Sequence, residues 1–168
     1  MTVAAPFWGR ISAEVDVWSA DASGALFAND GRFGGHALHL RARKLVYIHH
    51  WCGTIEHTVV SFANVPLGRS KLTAAFEQDV DDLPTRGTLT LLVDDRAIGS
   101  GRITIDPGHF ARIGERLDVG QDRAAPITAG HDGEAPWAFA GGLIRRVVVD
   151  VAGERLVSAE ASALRRAR

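Results

Sequence analysis

The chain has 168 residues, 46% hydrophobic and 23% charged, an ordinary globular balance that excludes disorder and is long enough to bury one good core. Nineteen basic against twenty acidic residues leave a formal charge of -1 with no basic stripe interleaved with aromatics, so nucleic acid is not the expected partner. No stretch approaches the ~20 apolar residues of a membrane span, Met1 to Arg10 lacks the charged and apolar regions of a leader, and the single cysteine, Cys52, excludes an internal disulfide; the chain reads as soluble and cytoplasmic, with no membrane partner.

From Ile11 to Val17, apolar Ile11, Ala13, Val15 and Val17 alternate with Ser12, Glu14 and Asp16, the period of a half-buried strand, which places a first strand near Arg10 to Trp18. A short apolar run, Ala25 to Ala28, stops at the turn-like Asn29-Asp30-Gly31. Further strands are expected over His36 to Arg41, Lys44 to Trp51, Ile55 to Phe62, Lys71 to Glu77 and Thr88 to Val93, separated by turn chemistry such as Pro66-Leu67-Gly68 and Asp94-Asp95. Arg96 to Ile105, Arg116 to Gly120 and Phe139 to Val151 follow, the last holding the β-branched triplet Val147-Val148-Val149. Helical periodicity is nearly absent before Leu156; the Ala-rich tail to Arg168, with Arg165, Arg166 and Arg168 near its end, suits a short helix. Evenly spaced short strands without intervening helices indicate an all-β antiparallel sandwich or barrel. One domain, 1–168, is expected, with its core over about 11–151 and a tail over 152–168.

Three stretches resemble one family. Gly31 to Leu38 with Lys44-Leu45-Val46-Tyr47, then Gly87 to Leu91 with Gly99-Ser100-Gly101-Arg102, then Asp118 to Asp122 through Pro126-Ile127-Thr128 and Trp137 to Ile144, resemble the C-terminal module of large bacterial arylsulfatase-like proteins. The resemblance implies a concanavalin A-like, jelly-roll β-sandwich with an accessory, lectin-like role, because sulfatase chemistry in that family belongs to a separate α/β domain. The sequence itself lacks the formylglycine frame C/S-x-P-x-R: Cys52-Gly53-Thr54-Ile55-Glu56 has Thr in place of Pro and Glu in place of Arg. No sulfatase activity is expected.

The stretch His36 to Trp51 carries the most chemistry. A two-residue turn at Ala42-Arg43 pairs Leu40 with Leu45, Leu38 with Tyr47 and His36 with His49 on one face, and sends His39, Arg41, Val46, Ile48 and His50 to the other. Imidazoles beside a phenol suit general acid/base work, which makes His36, Tyr47, His49, His50 and Glu56 the candidate catalytic residues. Stacked, hydrogen-bonded histidines at the rim of a sandwich are the plainer alternative. Trp51, Arg32, His39 and Trp137 are candidate ligand contacts; Trp8 and Trp18 offer further indole faces for a flat ligand, with core packing as the alternative.

Metal binding is not expected, because His36 and His39, like His49 and His50, point to opposite faces of a strand, and a third ligand would have to come from His57 or Glu56. The acidic run Glu77, Asp79, Asp81 and Asp82 reads as a solvated loop before a calcium site, and Cys52 as a small buried hydrophobe before a nucleophile served by His50 or His57. No cofactor is expected. The leading functional reading is a non-catalytic, lectin-like module for a small molecule or carbohydrate; the alternative is a small stand-alone cyclase, isomerase or lyase using these histidines in a cleft. Whether a reaction is catalysed, and the oligomeric state, are not legible from the sequence.

Overall fold

A computed structural model describes residues 7–31, 34–51, 55–79, 85–105, 116–123 and 137–152. Ten strands follow in chain order: β1 (Phe7–Val17), β2 (Gly24–Gly31), β3 (Gly34–Arg41), β4 (Lys44–Trp51), β5 (Ile55–Asn64), β6 (Gly68–Gln78), β7 (Thr85–Val93), β8 (Arg96–Ile105), β9 (Arg116–Val119) and β10 (Gly142–Ala152). They form two antiparallel five-stranded sheets, in the order β10-β1-β6-β7-β8 and β5-β4-β3-β2-β9. The described residues contain no helix; the short helix expected near the C-terminus falls outside them.

Alternation in the sequence becomes the two sides of each sheet. Ile11, Ala13, Val15 and Val17 of β1 are fully buried between the sheets, whereas Ser12, Glu14 and Asp16 are half-buried on the other side. Phe27, Leu38, Leu40, Leu45, Tyr47, Leu72, Leu89 and Leu91 fill the same interior. Each such large side chain contributes about 1.5–3 kcal/mol on burial, which is what holds the sheets face to face. A second, small cluster, Ala28, Ala37, Val46 and Ile48, is buried on the opposite side of the β5-β4-β3-β2-β9 sheet, together with His39.

The expected register of β3 on β4 is the observed one: His36 faces His49, Leu38 faces Tyr47 and Leu40 faces Leu45. Ala42 (φ 44°) and Arg43 (φ 63°) make the tight turn, a left-handed pair that hairpins ordinarily fill with Asn-Gly. Tertiary hydrogen bonds hold it in place of favourable residues: Arg43 N–H donates to Ala22 O (3.0 Å), Ala42 N–H to Ser23 Oγ (2.9 Å) and Val65 N–H to Arg43 O (2.8 Å). All three survive in Arg43→Gly, which relieves the left-handed strain. That variant should raise the unfolding free energy by about 0.5–1 kcal/mol, read from the urea midpoint at unchanged m-value.

Two differences from the expected strands have local causes. The last strand begins at Gly142 and not at Phe139, because Trp137 (φ 46°) and Gly141 (φ 87°) turn the chain. Residues 137–140 instead lie across the start of β2, bridging Ala25 to Ala138 and Ser23 to Ala140. On β5, the pairing with β4 slips between Lys44 and Val46, so Ser61, Phe62 and Ala63 form an irregularity, and the strand runs on to Asn64 where its end was expected at Phe62. There the two sheets also come close together. A Cβ on Gly99 would lie 2.9 Å from Ser61 Cα, and one on Gly101 would lie 2.8 Å from Val59 Cγ2, so β8 meets the β5 backbone directly at Gly99 and the Val59 side chain at Gly101.

Candidate functional site

Register converts scattered positions into rows across the β5-β4-β3-β2-β9 sheet. Asn29, His36, His49 and His57 stand opposite one another on β2, β3, β4 and β5, so three imidazoles from adjacent strands share the inner face. Phe27, Leu38, Tyr47 and Val59 form the next row inward, and Tyr47 is fully buried in the core. The ring of His36 meets Phe27 edge-on at 5.3 Å and Tyr47 at 6.1 Å, the offset geometry that quadrupolar rings prefer.

This packing makes His36 and His49 poor bases. His49 is 8% exposed, and its pKa is pushed down to about 4, first by desolvation and then by repulsion from His57 and His50. His36, half-buried as a residue but with Nδ1 enclosed, is pushed down to about 3 by burial and then by His49. Neither ring nitrogen of His49 has a hydrogen-bond partner among the described residues, a state that costs about 1–3 kcal/mol per buried polar group.

Of the sequence-derived candidates, the structure brings His36 and His49 together and sets Tyr47 behind them. It does not bring His50 and Glu56 to that group: both lie on the outer side, opposite each other in the β4–β5 ladder, and Glu56 is exposed with Thr58 Oγ donating to its Oε1 (3.3 Å). The place of His50 follows from the strand period, which sends successive side chains to opposite faces and was expected to set His50 apart from His49. His39 also lies on the outer side, 2% exposed beside the small apolar cluster. Trp137 is half-buried, its backbone carbonyl accepting from Ala25 N–H at 3.0 Å, so it serves the crossing of β2. Arg32, Cys52 and the side chains of Trp8 and Trp51 fall outside the described residues. Trp18 is 65% exposed.

Among the described residues no group of three or more His, Cys, Asp or Glu is arranged to hold a metal ion. Of the acidic run, Asp79 is paired with Arg102, whose hydrogen bond holds the Asp79 carboxyl below its ordinary range, and Asp81 and Asp82 fall outside the described residues. Reading the sequence passes over Asp118, a buried carboxylate on β9 that accepts from Arg123 N–H and Nε–H, both at 3.1 Å. Those bonds raise the Arg123 guanidinium further and pin residues 120–123, a structural role. Nothing in the pattern Asp118-Val119-Gly120 marks that carboxylate as buried.

A concave surface lies at the other end of the sandwich. An open depression of about 460 Å³ is lined by Phe62, Asn64, Pro66, Val93, Asp94 and Arg96. From His57 to Phe62 along β5 is five residues, about 16 Å at strand rise. Phe62 is 75% exposed.

No family model and no curated protein matches the sequence. Among solved structures, domains LG4-5 of the mouse laminin alpha1 chain match with a TM-score of 0.59 and 12% identity, over 90% of this chain and 37% of that one. The CBM40 module of a Ruminococcus gnavus IT-sialidase, bound to α2,3-sialyllactose, matches with a TM-score of 0.54 and 16% identity, over 89% and 79% respectively. At these identities the likeness concerns architecture: the chain has a concanavalin-like, jelly-roll β-sandwich fold. It spans little more than a third of the laminin chain it matches.

Proposed function

We propose that this chain is a non-catalytic, lectin-like binding module with a carbohydrate ligand. The observation that carries the reading is the packing of His36 and His49: the groups best suited to move protons sit against Phe27 and Tyr47, with their proton affinity depressed well below neutral. A general base is most effective with a pKa near the working pH, and these are not. The fold agrees, since one solved structure with the same architecture is bound to a sialylated sugar. We read the chain as one domain working in the cytoplasm, and its kinship with the arylsulfatase-like accessory module rests on the three sequence stretches alone.

The purified chain should be retained on a panel of immobilised glycans, with the retention competed by free sugar. A panel without a single competed signal would count against the reading. Turnover of a small molecule that is lost in His49→Leu would replace it with the cyclase, isomerase or lyase alternative.

A further inference from the structure

We infer that the depression between the end of β5 and the β7–β8 turn is the saccharide site, and that it takes a neutral pyranose. The inference rests on the lectin-like reading for the ligand being a sugar; the location and the ligand's charge come from the depression itself.

Its aromatic wall is built, not incidental. Where β5 slips against β4, Ser61 Oγ accepts Leu45 N–H at 3.0 Å and donates to Ala63 O at 2.7 Å, replacing ladder bonds that the irregularity removes. Lys44 Nζ donates to Phe62 O at 2.7 Å, fixing the same residue from the other side. Such irregularities re-aim a side chain, and here the side chain turned outward is a phenyl ring 75% exposed to solvent. An aromatic held this open on a surface forgoes the burial that phenyl rings ordinarily gain, and its face matches the C–H face of a sugar ring.

The facing wall is equally fixed. Asp94 (φ 46°) and Asp95 (φ 68°) form the β7–β8 turn, Asp94 N–H donates to Lys71 O (2.9 Å), and Asp94 Oδ1 accepts Lys71 N–H (2.8 Å). Its second carboxylate oxygen remains as an acceptor. Asn64 supplies one amide donor–acceptor pair, and Arg96, which makes no ion pair among the described residues, supplies guanidinium donors. Adjacent donors and acceptors beside an aromatic face fit the vicinal hydroxyls of a pyranose. The charges decide its class. Asp94 and Arg96 offset each other within the depression, Lys71 is balanced by Asp95 at 3.5 Å, and the Lys44 ammonium is engaged by Phe62 O, so the lining presents no cationic cluster to reward an anionic sugar. A volume of about 460 Å³ lies in the ordinary small-molecule range and has room for one or two rings.

The test is an amide-shift titration of the full isotope-labelled chain with maltose, lactose and 3′-sialyllactose, repeated with Phe62→Ala and Arg96→Ala. Both substitutions are at exposed positions and should leave the melting temperature unchanged. A neutral disaccharide should perturb amides around Phe62, Asn64 and Arg96, bind about tenfold more weakly to Phe62→Ala, and show little dependence on salt. Neutral-sugar shifts mapping elsewhere, with Phe62→Ala unaffected, would overturn the location and leave the lectin-like reading standing. Binding of 3′-sialyllactose alone would overturn the ligand class. No response to any sugar would sink both.

Discussion

Acidification from neutral pH towards pH 4 should cost the folded chain several kcal/mol. In the folded state His36 and His49 are held down to about 3 and 4, whereas in the unfolded chain both return to the ordinary histidine value of 6.5. Lowered folded-state affinity means that the unfolded chain binds protons the folded one refuses, so the contribution is fully present above 6.5 and is lost as pH falls through the window down to about 4. Each group adds a slope of up to about 1.4 kcal/mol per pH unit there, and a domain's whole stability is only about 5–15 kcal/mol. His57 and His50, which repel a charge on His49, reinforce the sign. Urea midpoints measured across this range should fall steeply. In His49→Leu the acid arm should be shallower, and stability at neutral pH should hold or rise, because an unsatisfied buried ring is replaced by an apolar side chain of similar size. A wild-type midpoint that stays flat down to pH 4 would contradict the burial of both rings.

The second large effect belongs to Gly24→Ala, expected to lower stability by about 3 kcal/mol or more and the melting temperature by roughly 10 °C. Gly24 has φ 116°, and a Cβ there would lie 2.4 Å from Ala138 O and 2.7 Å from Phe139 Cα. Those atoms are backbone and cannot swing aside. The crossing segment would have to lift from β2, giving up Ala25 N–H to Trp137 O (3.0 Å), Ser23 N–H to Ala140 O (3.1 Å) and Ala140 N–H to Ser23 O (2.8 Å). Gly68→Ala is the control, because Gly68 also has a left-handed φ of 90° but meets nothing within 4 Å. It should cost only the conformational strain, about 1–2 kcal/mol. Equal losses in the two variants would show that backbone strain, and not the close approach of Ala138 and Phe139, is what requires glycine at position 24.

Strand positions, and the β3–β4 register with its histidine pair, were legible because alternation and a two-residue turn are local signals. His36 opposite His49 followed from counting outward from Ala42-Arg43. The sheet in which each strand sits was not legible, since β1 pairs with β6 and β10, partners that no local pattern names. For the same reason His57 was considered only as a helper to a metal or a thiol, although the β5 register puts it beside His49. In the sequence Ser61 and Phe62 read as the plain end of a strand. Only in the folded chain does Ser61 turn its hydroxyl to the backbone while Phe62 faces solvent.

The place of β1 between β6 and β10 also orders events during synthesis. β1 is the first described strand to leave the ribosome and β10 the last, yet they lie side by side, with Ile11 opposite Val149 and Ala13 opposite Val147. β6 can zip onto one side of β1 as soon as it emerges; the other side must wait for more than a hundred residues, an entropically expensive closure. Throughout that interval β1 presents a bare row of amides and carbonyls, the kind of template that neighbouring nascent chains join. The last strand therefore acts as a seal, and a chain stalled before Gly142 keeps that edge of β1 open to aggregation.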